Sequence, residues 1–296
     1  MSQPYTFELS VCICTRNRPN ELKRALESLS SIHRHVHEII VSDDSTNDES
    51  YHVVENFPVQ YVRGPKRGLS ANRNNALRLV TGTHVLFIDD DVVVGSEFIP
   101  NIIRHYESIM SHRRASVIVT GLENKQGELV FPHEQSFLGF QEKDYDDSTS
   151  IRTIVINSTV FPMTVFQKMR FDEQLVYGYE EVDIAVRASY TEFDIDLCTA
   201  AINHHYPSEL NRDFYRPYVH ASRLYVTFKR YLCSERRPTK AVLFMAAATS
   251  HLITSSLVHH GAAGGYNAAR TVRLALTYVL RAAKPASPLG RNLFDE

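Results

Sequence analysis

The sequence predicts an α/β fold built on a mostly parallel sheet flanked by helices, with a C-terminal helical extension. Three observations predict it. Apolar runs of strand length alternate with helix-period segments through the first half of the 296 residues. Three of those runs end in polar clusters at the same end. Past Thr239 the character changes, and no Lys, Arg, Asp or Glu occurs between Ala241 and Ala269.

The elements follow in order. "FELSVCICT" (Phe7 to Thr15) reads as a buried strand. In "RPNELKRALESL", Pro19 suits a first helical turn, and Leu22, Ala25, Leu26 and Leu29 fall on one helical face. "HEIIVSDDS" and "VQYVRG" read as the second and third strands. Ser70 is placed to cap a helix through "ANRNNALRLV". "HVLFIDDD" is the fourth strand. Strand, helix, strand in repetition implies right-handed crossovers and parallel pairing. "SVIVTG" (Ser116 to Gly121) opens a second half, residues 122–150 read as a loop region or short hairpin, and "RTIVINSTVF" reads as another strand. "EEVDIAVRASY" is helical, and "FDIDLCTAAINHHYP" holds a strand ending at His204 and His205. The organisation expected is a domain over 1–232, divided into 1–121 and 122–232, followed by an extension over 233–296.

Composition bounds the function. With 43% apolar and 22% charged residues the chain can build a real core. A net charge of -2 gives no basic footprint, so nucleic acid is not an expected partner. The four cysteines form neither a disulfide framework nor a zinc spacing, and "MSQPYTFELS" carries no apolar signal segment. A cytoplasmic setting is expected. The histidines of "HRHVH" (His33, His35, His37) read as a solvated loop rather than a metal site, and Cys12 and Cys14 as core fillers.

Function is carried by the strand tips. In a parallel sheet, ligands bind beyond the carboxyl ends of the strands. Three tips converge there: Thr15, Arg16, Asn17 and Arg18; Ser42, Asp43, Asp44 and Ser45; Asp89, Asp90 and Asp91. Three like charges at the end of an apolar strand need either water or a positive partner. Carboxylates suit Mg²⁺ or Mn²⁺, and arginine forks suit phosphate. The tips together read as a site for a nucleotide diphosphate with a divalent cation.

At this point the sequence resembles the family 2 glycosyltransferases, across most of its first 205 positions. The matching stretches, in order, are "SVCICTRNRP", "EIIVSDDSTND", "GPKRGLSANRNNAL", "VLFIDDD" and "RFDEQLVYGYEEVDIAVR". The resemblance implies a GT-A fold and inversion at the anomeric carbon. It implies that Asp43 or Asp44, with Asp44 favoured, binds the nucleoside. Thr15, Arg16, Asn17, Arg18, Arg67 and Asp90 would line the nucleotide-sugar site, and Arg73 would reach the diphosphate. Asp91 would ligate Mn²⁺ or Mg²⁺ directly, with Asp89 at ribose or metal-bound water. Either His204 or His205 adds a metal or diphosphate contact; alternation along a strand lets only one face the site, and His204 is favoured. Glu181 would be the catalytic base, with Asp183 orienting the acceptor or a helix end. The family usually has Glu-Asp where this chain has Glu180-Glu181, so the choice between those two stays open.

The resemblance implies a nucleotide-sugar donor, UDP-linked by preference, and a glycan or lipid-linked sugar acceptor in polysaccharide or glycoconjugate synthesis. Two other classes compete. A sugar nucleotidyltransferase would open with a Gly-rich phosphate loop, and "CTRNRPNE" has no glycine. A non-catalytic nucleotide-sugar-binding protein would not need acids at both Asp89/Asp91 and Glu180/Glu181. Phe137 and Phe140 read equally as acceptor-loop anchors or core. The stretch 239–283 has two readings. It is either a pair of packed helices that covers the sheet or makes a homodimer contact, or a basic amphipathic surface lying on the inner face of the cell membrane.

Overall fold

A computed structural model describes residues 6–146, 150–207 and 212–283. The extension expected over 233–296 is therefore described only to residue 283. Residues 284–296, like 1–5 of the N-terminal segment and 147–149 of the expected loop region, lie outside the described residues.

The nucleotide half is as regular as its sequence. Strand β1 (Leu9–Thr15) leads through α1 (Pro19–Ser30) to β2 (Glu38–Asp43), and α2 (Glu49–Val54) to β3 (Gln60–Arg63). Helix α3 (Leu69–Leu77) and β4 (His84–Asp89) follow, then the short β5 (Val92–Val93) and α4 (Phe98–Ser108). The acceptor half holds β6 (Val117–Lys125), β7 (Glu128–Val130), the β8 (His133–Gln135) and β9 (Gln141–Asp144) hairpin, β10 (Thr159–Pro162), α5 (Met163–Lys168), α6 (Glu180–Ser189) and β11 (Asp194–His205). Helices α7 (Arg212–Lys229) and α8 (Pro238–Ala282) end the described chain.

The main sheet runs β3-β2-β1-β4-β10-β6-β11-β5, with β7 on β6. The first four strands are parallel, as are β6 and β11. Strand β10 is antiparallel to both its neighbours, so the sheet is mixed there, while β6 and β11 return to the direction of β1–β4. The sequence run "RTIVINSTVF" does not form one strand: a single 3₁₀ turn over Ile156–Ser158 occupies its centre, and β10 starts at Thr159.

Alternation along the strands fills two cores. Val11, Ile13, Leu86 and Ile88 pack with Leu22 and Leu26 of α1 and Phe98 and Ile102 of α4. Cys12, Val85 and Phe87 face the other way, against Ala76 and Leu77 of α3, Phe166 of α5 and Ile184 and Ala188 of α6. Helix α3 begins on Gly68, not under a Ser70 cap. Gly68 has φ +110, and a side chain there would strike the backbone of Val176, so glycine is what lets α3 start against that loop. Ser70 is buried with its hydroxyl unpartnered.

A third core joins Leu175, Val182 and Val186 to α7 and α8 across the 232/233 boundary. Helix α8 is two arms. Gly261, at φ 58 and ψ -152, breaks it, and a side chain on Gly264 would collide with Ser256. Eight residues of continuous helix span about 12 Å, so the arms fold back on each other. Gly264 and Gly265 are thus close-packing positions within the second arm rather than part of the break.

Candidate active site

The tips of β1, β2 and β4 meet where they are expected to, and protein side chains already hold them together. Thr15 Oγ1 donates to Asp90 at 2.8 Å. Asn17, in the left-handed region at φ 56, donates its backbone N–H to Ser45 Oγ at 2.7 Å and accepts from the Thr46 N–H at 2.8 Å. It laces the β1 tip to the β2 tip. Arg16 Nη1 donates to the Tyr215 hydroxyl at 3.3 Å, so that tip also touches α7.

Asp43 and Asp44 are both buried. Asp43 accepts from the Ser45 N–H at 2.7 Å and the Tyr61 hydroxyl at 2.9 Å. Asp44 accepts from the Lys66 N–H at 2.7 Å. Burial pushes the Asp44 carboxyl up, and the Lys66 N–H opposes that. Asp43 is the more committed to the fold, and Asp44 keeps more unspent acceptor capacity.

The three aspartates of β4 part company. Asp89 is the most open, taking the Asn157 amide oxygen on its N–H at 2.9 Å. Asp90 points inward rather than into a ligand site. It bonds Thr15 and Arg18, and burial pushes its carboxyl up to about 7. Asp91 takes Arg18 at 2.9 Å and lies 3.2 Å from His205 Nε2. Burial raises the Asp91 carboxyl, but His205 and Arg18 together bring it below its ordinary value. Arg18, expected at the nucleotide, is thus committed to Asp90 and Asp91.

The histidine preference is corrected. His205, not His204, reaches Asp91, and its other nitrogen lies 2.8 Å from Glu123 Oε2. Burial lowers the imidazole, yet the two carboxylates outweigh it and raise His205 to about 9. Strand β11 is irregular between Leu197 and Ile202, so strict alternation counted from its start fails at its end.

Arg73 also departs from expectation. It is 1% exposed, with Nη1 2.9 Å from Glu180 Oε1 and Nη2 3.1 Å from Asp89 Oδ1. Its fork links the donor-side acid to the acceptor-side acids instead of facing solvent. Glu180 is thereby tied. Glu181, next in sequence, is only half-buried, and among the described residues it forms no ion pair. Burial and then the neighbouring Glu180 charge raise its carboxyl to about 8. The N-terminus of α6 presents both glutamates because Tyr179 turns the chain through the left-handed region at φ 67.

Asp183 turns away from these acids. It sits 2.7 Å from Arg187 and 2.9 Å from Lys229, which also holds Asp172 at 2.9 Å. It belongs to a buried ionic knot beneath α6. Arg67 is exposed at the rim, paired with Glu173 at 2.8 Å. Phe137 and Phe140 anchor their loop on the helical extension, Phe137 meeting Phe244 edge-on at 6.2 Å and Phe140 meeting His251 at 6.0 Å. The residues that sequence reasoning missed are Glu123 and Asn157. Asn157 Nδ2 donates to Glu123 at 3.0 Å, and both lie beside Asp89 or His205. The acid at the end of "VIVTGLE" was the available signal for Glu123.

The residues suit a divalent cation. Asp91 Oδ1 is buried, and the Nε2 of His205 stands 3.2 Å from it. Among the described residues no three His, Cys, Asp or Glu side chains gather as a complete metal site. A buried carboxylate beside an imidazole could hold a cation that takes the rest of its shell from substrate phosphates.

Comparison with known proteins gives the family and the fold. A glucosyltransferase of Campylobacter jejuni, GalNAc(5)-diNAcBac-PP-undecaprenol beta-1,3-glucosyltransferase, is 29% identical over 184 residues, 58% of this chain and 57% of that protein. The Rhizobium meliloti succinoglycan biosynthesis protein ExoM is 29% identical over 107 residues, 33% of this chain and 34% of its own. The chain therefore matches only about half or less of the length of these relatives. Among solved structures, S. aureus TarS 1-349 in complex with UDP-GlcNAc overlays with a TM-score of 0.61 at 16% identity, covering 92% of this chain and 81% of that one. The UDP complex of the same protein gives 0.55 at 17% identity, covering 85% and 73%. At these identities the overlays establish the fold. The model of "Glycosyl transferase family 2" matches residues 10–170, the span that carries all three strand tips, and the chain belongs to that family.

Proposed function

We propose that this protein transfers a sugar from a nucleotide-diphosphate sugar, UDP-linked by preference, to a hydroxyl of a glycan or lipid-linked acceptor, with inversion and with a divalent cation. The observation that carries the reading is the Arg73 fork, which fixes Asp89 on the donor side against Glu180 and Glu181 on the acceptor side. The UDP and UDP-GlcNAc named in the TarS complexes support the donor class. The undecaprenol-linked substrate in the name of the C. jejuni relative supports the acceptor class.

Asp44 and the Asn17 loop bind the nucleoside. Asp91 and His205 hold Mn²⁺ or Mg²⁺, with Asp89 toward the ribose. Bound there, the cation supplies positive charge against the diphosphate as it departs. Glu181 accepts the proton of the attacking hydroxyl from the face opposite the leaving group, which inverts the anomeric carbon. Arg73 keeps Glu180 occupied, so Glu181 is the acid left to take that proton.

The α8 hairpin is the surface we assign to the inner face of the cell membrane. It is long and apolar enough, by length and composition, to span one. Its reversal at Gly261 makes an interfacial position the better fit. From Ala241 to Ala282 it contains no acid, while Arg270, Arg273 and Arg281 are exposed.

The test is donor turnover. Purified protein is incubated with UDP-, GDP- and dTDP-sugars, with and without Mn²⁺ or Mg²⁺, beside Asp91→Ala and Glu181→Gln. Cation-dependent nucleotide release by wild type, loss of binding in Asp91→Ala, and binding without turnover in Glu181→Gln are expected. No binding of any nucleotide sugar would overturn the proposal.

A further inference from the structure

We propose that Tyr177, Phe214, Tyr215 and Tyr218 form a stacking shelf for a pyranose ring of the acceptor, a reading that rests on the proposed glycosyltransferase function. Tyr177 and Tyr215 are stacked at 4.5 Å with 28° between their planes. Phe214 meets Tyr215 edge-on at 5.1 Å and Tyr218 at 6.0 Å. The four rings are one cluster, yet Phe214 is 61% exposed and Tyr177 42% exposed. A contiguous aromatic patch left in water marks a binding surface more often than a packing remnant.

Its position selects the ligand. Tyr177 lies two residues before the left-handed turn that opens α6 and its glutamates. Burial, and then the charges of Asp89, Glu180 and Asp91, push its phenol up to about 12. At the other edge the Tyr215 hydroxyl accepts from Arg16 of the β1 tip. The shelf therefore joins the base side of the site to the donor side. The loop beneath is held, since Ser222 of α7 donates to the Tyr177 carbonyl at 3.4 Å and Gly178 packs on Val219.

A sugar ring matches such a surface. Its C–H face stacks on an aromatic face, and its hydroxyls meet the phenol edges of Tyr177, Tyr215 and Tyr218. A lipid tail would leave those hydroxyls unused. A nucleobase is the competing stacking partner, but the β2 acids that would read a base are held by Tyr61, Ser45 and Lys66, none of them in the shelf. The Phe214 ring has no polar group, so cover by an apolar face is what a ligand would give it.

The experiment is saturation-transfer NMR with methyl α- and β-pyranosides of glucose, galactose and their 2-acetamido derivatives, in the presence of UDP and Mg²⁺. UDP affinity is measured on the same samples by calorimetry. Wild type is expected to saturate the ring C–H protons of at least one glycoside. Phe214→Ala is expected to weaken that glycoside at least about tenfold, and Phe214→Trp to restore most of it. Met110→Ala, at an exposed apolar residue after α4, is the control for surface effects. The shelf is overturned if Phe214→Ala binds the glycoside like wild type, or if it loses UDP instead. It is also overturned if no glycoside binds while UDP does. If wild type binds no UDP at all, the glycosyltransferase reading fails first and the shelf falls with it.

Discussion

Arg73 Nη1 lies 2.9 Å from Glu180 Oε1 across 107 residues of sequence. The same guanidinium meets Asp89 at 3.1 Å, so one buried cation sets the spacing between the two halves of the site. Lysine keeps the charge but cannot fork. Arg73→Lys is expected to cost about 3 kcal/mol of stability, since one acid is left buried and unpaired. It should also cost roughly a hundredfold in kcat, the usual price of misplacing reacting groups by about an ångström. Thermal melts and initial rates check both, and wild-type values in both would remove Arg73 as the coupler.

Glu181 sets a pH limb. Its carboxyl is raised toward about 8 by burial and by Glu180. A base works deprotonated, so kcat/KM must rise with pH as Glu181 ionises. A bound cation favours the ionised form, so the midpoint falls between the ordinary value of 4.5 and about 8. Glu181→Gln is expected to lose about a hundredfold or more and to abolish that limb. Glu180→Gln should instead act through Arg73, lowering stability with the limb retained. A flat profile from pH 5 to 9 in wild type would show that no carboxylate base with a raised pKa governs the rate.

The two adjacent histidines separate a ligand from a bystander. His205 faces Asp91 and Glu123, while alternation along the strand turns the neighbouring His204 to the other face of β11. His205→Ala is expected to weaken cation-dependent UDP binding by at least about tenfold. His204→Ala should leave it near wild type. Calorimetry with and without Mg²⁺ reads the difference, and equal losses would argue against a cation at Asp91.

The nucleotide half was legible because its physics is local. Apolar runs end at Thr15, Asp43 and Asp89, and parallel pairing brings such ends to one edge. What sequence did not reveal is where charges find their partners. Arg18 and Arg73 stand beside the right tips, and only the packed structure shows that Asp90, Asp91, Asp89 and Glu180 occupy them. His205 was hidden by the irregularity in β11, which resets the alternation that would otherwise have chosen between neighbours. Asp183 was hidden because its partner Lys229 arrives from a different helix, 46 residues later.

That Asp183–Lys229 knot makes a stability prediction separate from catalysis. Lys229 Nζ holds Asp172 and Asp183 at 2.9 Å each. Lys229→Ala leaves Asp172 with only the Tyr225 hydroxyl among these partners and should cost about 3 kcal/mol. For Asp172, burial raises the pKa, but Lys229 and Tyr225 bring it well below the ordinary carboxylate value. Its folded-state pKa is thus depressed. The stabilisation is fully present above the unfolded value of about 3.9 and is lost as pH falls below it. Denaturant melts at pH 7 and pH 3 should show the Lys229→Ala deficit shrinking in acid. A constant deficit would mean that Lys229 contributes packing rather than charge.

The α8 hairpin offers the last prediction. None of residues 253–263 is buried, and Leu257, Val258 and Tyr266 are exposed around the turn at Gly261. Exposed apolar groups at a turn, with three arginines and no acid on the same hairpin, favour an anionic interface through two additive terms: buried apolar area and charge. Flotation with vesicles containing phosphatidylglycerol should recover the wild-type protein at low salt and progressively less as salt rises. Leu257→Glu with Val258→Glu should abolish recovery without altering UDP binding, because the hairpin turn is remote in sequence from every strand tip. Binding to neutral and anionic vesicles alike would remove the arginines from the account. A concentration-dependent dimer that these two substitutions dissolve, with no vesicle binding by wild type, would instead assign the same apolar turn to a second copy of the chain.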